Sequence, residues 1–351
     1  MEEEKTIIGA GPTGLYLASK IQDAKIIDLK KKIGEPIRCT GVVTNQIEKF
    51  LSKKELQKCT INKIKETEII GPTKKLKTKI KTNYILDNTI FEEILFDKAI
   101  KQGNEILLNH SYLRSINGKH EIKNNKTKKK FFIKSEKIIG ADGPNSLVAK
   151  NFSLQRKRKS YLGMQIRMKV KEKENKIKFY PHIGKYAWYV PEEEGIARIG
   201  ITGTQKELNT FAKRFKGKII EKQGGIIPLH KPLSKTKAKG VELLGDAGGH
   251  IKNTTGGGII PGLKAVENHL SKGKKFPELK RELYMHFIVH NVLQSANNKE
   301  WDKIISASSK IKVLENENRD NLWKMAPHML KSKYLLKYSI KKFLSGKVKL
   351  F

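Results

Sequence analysis

The sequence predicts an α/β fold with an α+β insertion: strand–helix–strand units, an antiparallel β-sheet inserted between them, and a helical C-terminal region. Three observations carry the prediction. Near the start, Gly9-Ala10-Gly11-Pro12-Thr13-Gly14 stands between an apolar strand and a helical stretch. From 163 to 202 the apolar residues recur at a period of two, with Met164, Ile166, Met168 and Val170 alternating with polar neighbours. After 276 the pattern is mostly helical, and Pro327 breaks it once.

The chain opens on Met1-Glu2-Glu3-Glu4-Lys5, an acidic lead straight into a strand rather than a signal peptide. Lys5–Ile8 reads as that strand, 12–22 as a helix and Lys25–Asp28 as the next strand. Thr67–Ile70 and Leu76–Lys81 form a hairpin across Gly71-Pro72-Thr73-Lys74-Lys75. A helix follows from Phe91 to Gly103, with Phe91, Ile94, Leu95 and Ile100 on one face. The lysine-rich stretch Lys119–Lys137 reads as a solvated hairpin around Asn124-Asn125, with no function assigned. Ile138-Ile139-Gly140-Ala141-Asp142-Gly143 is a short buried strand ending in a glycine-acid-glycine turn. Strands at Ile177–Phe179, Tyr186–Val190 and Ile196–Thr202 continue the period of two, Val241–Leu244 is a strand, and a helix runs from about Ile259 to Leu270.

Three parts of one domain are thereby expected at 1–66, 91–155 and 236–275. A hairpin segment at 67–90 and a sheet domain at 156–235 interrupt them, and 276–351 forms the helical end.

At 351 residues and 40.0 kDa the chain can bury a sizeable core. No run approaches the roughly 18–20 apolar residues needed to cross a bilayer. Only Cys39 and Cys59 are present, so a disulfide framework is excluded and a reducing cytoplasm is the natural compartment. Seventy-two Lys+Arg against 35 Asp+Glu give a net charge of +37. That charge favours polyanions such as nucleic acid, anionic lipid or phosphorylated substrates; a lysine-biased genome or a salt-rich cytoplasm explains it equally well.

Glycine at 9, 11 and 14 lets backbone approach a pyrophosphate. Asp28, nineteen residues after Gly9, stands where an acid binds a ribose hydroxyl in a Rossmann-like fold. A second element lies more than 230 residues later: Gly245 and Asp246 after the 241–244 strand, then Gly256, Gly257 and Gly258 before a helix. Asp246 can accept hydrogen bonds from sugar or ribityl hydroxyls. The glycine triplet leaves room for a flat ring, and the helix N-terminus favours negative charge beside it. A cofactor held at both ends by one interrupted domain fits FAD better than NAD, so the first, second and third parts are read as an FAD-binding domain.

At these residues the chain resembles the geranylgeranyl reductase branch of the FAD-dependent oxidoreductases that share the p-hydroxybenzoate hydroxylase fold. The resemblance covers roughly residues 5–265. Gly9–Gly14 with Asp28 resembles the ADP-binding end, and Gly34-Glu35-Pro36-Ile37-Arg38-Cys39-Thr40-Gly41 resembles the family's Gly-x-Pro-x-x-Cys-x-Gly segment beside the flavin. Gly140–Ser146, with Asp142, resembles the second glycine motif of flavin hydroxylases, and Gly245–Gly258 resembles the Gly-Asp-Ala-x-Gly segment with its glycine triplet. Tyr186-Ala187-Trp188-Tyr189-Val190-Pro191 resembles the Tyr-x-Trp-x-Phe-Pro stretch that lines the isoprenoid pocket. Two departures stand out. The family's arginine before a Phe-Asp pair is absent, with Asn88 and then Phe91-Glu92 in that region, and the chain is shorter after Gly258.

The resemblance implies FAD as cofactor and saturation of carbon–carbon double bonds in geranylgeranyl chains, as in archaeal ether-lipid synthesis. It implies Arg38, Cys39, Gly41 and Asp142 beside the cofactor, Cys39 as a catalytic group, Tyr186 as a rival proton donor, and Tyr186, Trp188, Tyr189 and Pro191 along the substrate. The external electron donor stays open among NAD(P)H, reduced ferredoxin and a deazaflavin, and no metal is expected. Residues 328–351 carry Lys331, Lys333, Lys337, Lys341, Lys342, Lys347 and Lys349 without an acid, and Leu336, Ile340, Phe343 and Leu344 recur at helical spacing. This is the pattern of an amphipathic helix on an anionic membrane, or of a helix packed on its own protein with its lysines solvated. A cytoplasmic enzyme, peripheral on the membrane, is the expectation. A flavin monooxygenase of the same fold and a basic RNA-binding or tRNA-modifying flavoprotein are the alternatives. No recognised RNA-binding module is visible, which counts against nucleic acid.

Overall fold

The computed structural model describes residues 5–154, 158–172, 174–193, 195–312, 315, 320–323, 327 and 331–345. The chain divides into two compact units. Met1–Ile37, Asp87–Lys159 and Pro228–Lys280 form the first, and Arg38–Leu86, Ser160–Ile227 and Arg281–Phe351 the second.

The first unit is built on a six-stranded sheet ordered Lys237–Ala238, Val241–Leu243, Lys137–Gly140, Lys5–Ile8, Ala24–Ile27, Glu105–Leu107. All neighbours are parallel except the antiparallel edge pair Lys237–Ala238 and Val241–Leu243. A parallel sheet is covered on both faces, so its strands read as continuous apolar runs. Ile7, Ile8, Ile26, Ile27, Ile138 and Ile139 are accordingly all buried, each stabilising by about 1.5–3 kcal/mol. Helix Pro12–Ala18 packs against helices Asn88–Lys101 and Ile259–Leu270. It ends earlier than the expected 22: Ser19 caps it by donating to the Tyr16 carbonyl at 2.7 Å, and Asp23 at φ +54° turns the chain into the next strand.

The lysine-rich 119–137 stretch does form a hairpin, Lys119–Asn124 with Lys130–Lys134, beside His110–Ile116. Its expected solvation holds for one face only. Ile122 and Ile133 join the core with Ile8, Ile138 and Val148, because the period of two among so many lysines still gathers the apolar side chains on one side.

The second unit is built on an eight-stranded sheet ordered Gly217–Pro228, Ser160–Val170, Ile196–Thr202, Tyr186–Pro191, Ile177–Tyr180, Thr60–Ile70, Lys75–Leu86, Val42–Thr44. Pairing is largely antiparallel, with Ile177–Tyr180 running parallel to Thr60–Ile70. The expected boundaries need correction here. Residues 38–66 were expected with the cofactor-binding domain, yet Val42–Thr44 and Thr60–Ile70 are strands of this second sheet. The hairpin is far longer than 67–70 and 76–81, since its register continues to Thr60 opposite Leu86. Polar alternation such as Lys63-Ile64-Lys65 hides a strand when apolar content is the guide.

One face of this sheet forms a core. Ile166, Met168, Ala187, Tyr189, Ala197, Ile199 and Ile201 pack with Leu208, Phe211 and Phe215 from the stretch of helix Gln205–Ala212 and beyond. Thr204 and Glu207 form a capping box that starts that helix.

At the C-terminal end, helices Leu279–Leu293, Asn298–Lys310 and Lys333–Leu344 follow. Leu335 and Tyr338 bury against Val292 and Ile304, and Phe343 leans on the same cluster. Leu336, Ile340 and Leu344, at 39%, 48% and 84% exposure, form a separate outward stripe. The expected apolar stripe is thus divided between two faces, while Lys347 and Lys349 lie outside the described residues. Among the described residues no helix is long and apolar enough to cross a membrane.

Candidate functional site

In the first unit the predicted cofactor residues lie at the C-terminal ends of its parallel strands, where doubly wound sheets bind ligands. Each glycine of the first loop has a different duty. Gly9, at φ +110°, passes so close to Ala141 that a Cβ would stand 2.2 Å from its carbonyl oxygen. A Cβ on Gly14 would stand within 1.9 Å of the Gly9 carbonyl oxygen. These two glycines let backbone pack on backbone. At Gly11 a Cβ would meet nothing within 4 Å, so that glycine faces open space.

Asp28 holds the loop from beneath. Its carboxylate accepts from the Ala10 N–H at 2.5 Å and from the Lys30 N–H at 2.7 Å. A carboxylate offers about four acceptor sites, so one can still take a ribose hydroxyl. Lys30 was not anticipated. Its ammonium donates to Glu92 at 2.7 Å and to the Ala10 carbonyl at 3.0 Å, and Glu92 also accepts from the Gly34 N–H at 3.1 Å. Glu92 therefore ties helix Asn88–Lys101 to the loop after Asp28.

The second glycine element packs directly on the first. Cβ atoms on Gly245 and Gly262 would stand 2.5 and 2.6 Å from the Thr13 hydroxyl. Gly258 begins helix Ile259–Leu270 without a side-chain cap, and its own Cβ would lie 2.7 Å from the Asp246 carboxylate. Gly256 takes φ +68°, and Gly257 lies against the Lys252 side chain. Desolvation pushes the Asp246 pKa up to about 6 against the opposing pull of Arg158. Arg158, also unanticipated, donates to the Asp246 carbonyl at 2.7 Å, while its second terminal nitrogen is buried without a partner among the described residues. Burial likewise pushes His250 down to about 4 and lowers His230.

Asp142 has a structural duty beside the expected one. One carboxylate oxygen accepts from the Leu147 and Val148 N–H groups at 2.7 and 3.1 Å, in the first turn of helix Leu147–Asn151, and the other is buried without a hydrogen-bond partner among the described residues. These features suit FAD: open space over Gly11, an uncapped helix start at Gly258, and two buried polar atoms awaiting partners on Asp142 and Arg158. Gly9–Gly14 and Asp28 would hold its ADP part and Gly245–Gly258 its flavin part.

In the second unit, strand alternation sorts the predicted substrate residues. Tyr186 and Trp188 project from the sheet face opposite the larger core, where Trp188 also packs on a smaller cluster of Ile64, Ile85, Ile177 and Val190. Trp188 lies over Gly200, where a Cβ would come within 2.2 Å of the indole, and Tyr186 stacks on Phe179 at 5.5 Å. The Tyr186 hydroxyl is buried without a partner among the described residues, and burial raises its pKa. Tyr189 and Pro191 have the opposite parity. Tyr189 stacks on Phe215 at 5.2 Å inside the core, so it does not share the face of Tyr186 and Trp188. Its expected contact with substrate is corrected to a packing role, since consecutive strand residues point to opposite faces.

The Arg38–Gly41 segment also belongs to this unit. Cys39 is exposed, with its sulfur accepting from the Gly41 N–H at 3.3 Å, while Cys59 is buried. Arg38 lies along Gly225, and Gly41 takes φ +69°.

No protein-family model matches the chain. Its fold is shared with solved flavoproteins. A flavin-dependent monooxygenase solved with FAD and substrate matches at TM-score 0.62 and 9% identity, over 98% of this chain and 71% of that one. A geranylgeranyl bacteriochlorophyll reductase-like protein from Thermoplasma acidophilum matches at TM-score 0.78 and 19% identity over 99% of both chains. Digeranylgeranylglycerophospholipid reductase 3 of Methanosphaera stadtmanae is 28% identical, across 87% of this chain and 90% of the relative. The corresponding reductase of Methanosarcina acetivorans is 26% identical, across 87% and 88%. Along most of its length, this chain is therefore similar to digeranylgeranylglycerophospholipid reductases.

Proposed function

We propose that this chain is an FAD-dependent reductase that saturates carbon–carbon double bonds of geranylgeranyl chains in archaeal-type membrane ether lipids. Similarity to digeranylgeranylglycerophospholipid reductases along 87% of the chain supports the substrate class. The observation that carries the reading is the aromatic cluster of Tyr186, Trp188 and Phe179 on the second sheet, apolar ring surface suited to a prenyl chain.

An isolated trisubstituted alkene is a poor hydride acceptor until a proton is added to its less substituted carbon, which places cationic character on the tertiary one. When bound and reduced by the external donor, FAD would supply the hydride that the tertiary carbon takes. The protein must then hold one acid and exclude water around the chain. Cys39 is the proposed acid: its thiol proton would go to the alkene carbon, and its exposure lets the thiolate recover a proton from solvent. Tyr186 is the rival, its phenol kept protonated by burial. Trp188 and Phe179 would shield the chain from water. Reduced ferredoxin, a deazaflavin and NAD(P)H are the donors to be compared. The outward Leu336, Ile340 and Leu344 stripe, with Lys333, Lys337 and Lys341 around it, is the proposed contact with an anionic membrane.

The test is incubation of dithionite-reduced, FAD-loaded protein with digeranylgeranyl lipid, read by mass spectrometry. A gain of one H₂ per double bond is expected. An unchanged lipid mass with FAD bound and reduced, or oxygen uptake with a hydroxylated product, overturns the reading.

A further inference from the structure

We propose that Arg198 and Gln165 are positioning residues that hold Thr40, and through it set the environment of the Cys39 thiol. The inference deepens the function proposed above, since it rests on Cys39 being the acid. The Arg38–Gly41 segment contains no helix or strand, and within the second unit the fixed contacts on Thr40 come from the sheet. The Arg198 guanidinium donates to the Thr40 carbonyl at 2.6 Å and to the Leu86 carbonyl at 3.3 Å. The Thr40 hydroxyl donates to the Gln165 side-chain carbonyl at 2.9 Å, and the Trp188 indole N–H donates to that same oxygen at 3.3 Å. The Leu86 N–H closes the segment by donating to the Gly41 carbonyl at 2.9 Å. Gln165, Arg198 and Trp188 project from one face, as the register Gln165 opposite Gly200 and Gly200 opposite Trp188 requires.

Arg198 is itself fixed. Its Nε donates to Glu192 at 2.5 Å, and the other oxygen of Glu192 takes Arg167 at 2.8 Å. Arg198 and Glu192 are each only 5% exposed. A buried ion pair adds little net stability once desolvation is counted, so the pair is a weak device for holding the sheet together. It is a strong device for geometry: one planar fork bonds a carboxylate on one edge and two backbone carbonyls on another, which an ammonium cannot reproduce. Arg167 binds the same carboxylate without touching Thr40 and supplies the internal control.

The readout is alkylation of Cys39 by iodoacetamide on the native full-length protein from pH 6 to 10 (a range set by the ordinary thiol pKa of about 8.5), quantified by peptide mass spectrometry, with buried Cys59 as the unfolding monitor. Arg198→Lys and Gln165→Met are each expected to change the Cys39 rate about five-fold or more, or to displace its pH midpoint, with Cys59 still protected. Arg167→Lys is expected to leave the Cys39 profile at wild type. If either test variant matches Arg167→Lys, the assignment of that residue is overturned. If Arg198→Lys does not fold, Gln165→Met decides by the same criterion. A displaced profile together with full turnover by Cys39→Ala would leave the positioning intact and refute Cys39 as the acid.

Discussion

The two sheets carry their candidate site residues in different places. In the first unit these residues stand at strand ends: Gly9 after Lys5–Ile8, Asp28 after Ala24–Ile27, Asp142 after Lys137–Gly140, and Gly245 and Asp246 after Val241–Leu243. In the second they stand on a sheet face, with Tyr186, Trp188, Gln165 and Arg198 opposite a core of Tyr189, Ile199 and Phe211. A parallel sheet covered on both faces has no free face, so only its ends can meet a ligand. A largely antiparallel sheet sends alternate side chains to its two faces, so one face can hold the larger core while the other carries site residues. An end site is made of backbone and glycine, whereas a face site is made of alternate side chains.

That contrast is broken most sharply at the first loop. Gly9→Ala is expected to cost about 4 kcal/mol or more of apo stability, because its Cβ meets backbone at a left-handed φ. Gly11→Ala, whose Cβ meets nothing within 4 Å, should melt with wild type yet bind FAD about ten-fold more weakly. Thermal melts and flavin fluorescence titration distinguish the two. Equal melting losses would mean that Gly11 is structural too.

Next in size is Asp246. Its pKa is raised in the folded state, so the stability linked to its protonated form is present below the ordinary carboxylate range and lost as pH rises through about 6. Apo Asp246→Asn should therefore be more stable than wild type above pH 6, by up to about 3 kcal/mol, and level with it near pH 4. His250, held down at about 4, works in the opposite direction in both proteins, with stability rising as pH climbs from 4 towards 6.5. Urea titrations of both apo proteins at several pH values measure the difference, and a pH-independent difference would refute it.

The face contrast is sharpened by neighbouring residues of one strand. Tyr189→Leu should lose about 2 kcal/mol of stability with little change in substrate affinity, because its ring fills the core. Trp188→Leu should lose less stability and raise KM for the prenyl lipid. Steady-state kinetics beside denaturant melts would expose the reverse pattern. The smallest effect is expected on the C-terminal helix: Leu336→Ser with Ile340→Ser should change stability by no more than about 0.5 kcal/mol each, since both are already exposed. Co-sedimentation with anionic vesicles should nevertheless fall, and undiminished binding would remove that helix from the membrane contact.

Much of the first unit is legible in the chain itself. Glycine spacing, a following acid and an apolar run before each turn are local signals, so Gly9–Gly14, Asp28 and Gly245–Gly258 could be placed by reading along the sequence. Lys30, Glu92 and Arg158 were not legible, because their partners are distant in sequence and an isolated lysine among 72 basic residues carries no mark. The second unit was read less well. Thr60–Ile70 is interrupted by lysines and glutamates, and the strands that complete its sheet come from both sides of residues 87–159.

The sequence by itself determined the backbone demands of the cofactor loops and the aromatic content of the Tyr186–Pro191 strand. Only the tertiary structure decided that Tyr186 and Trp188 face away from the core while Tyr189 fills it. It also decided that Asp142 accepts from the first turn of a helix, and that Thr40 is held by Arg198 and Gln165. The physical reason is the range of the forces involved. Glycine torsions and strand alternation act within a few residues, whereas a buried carboxylate, a stacked ring or a guanidinium fork takes its role from partners that folding alone brings within reach.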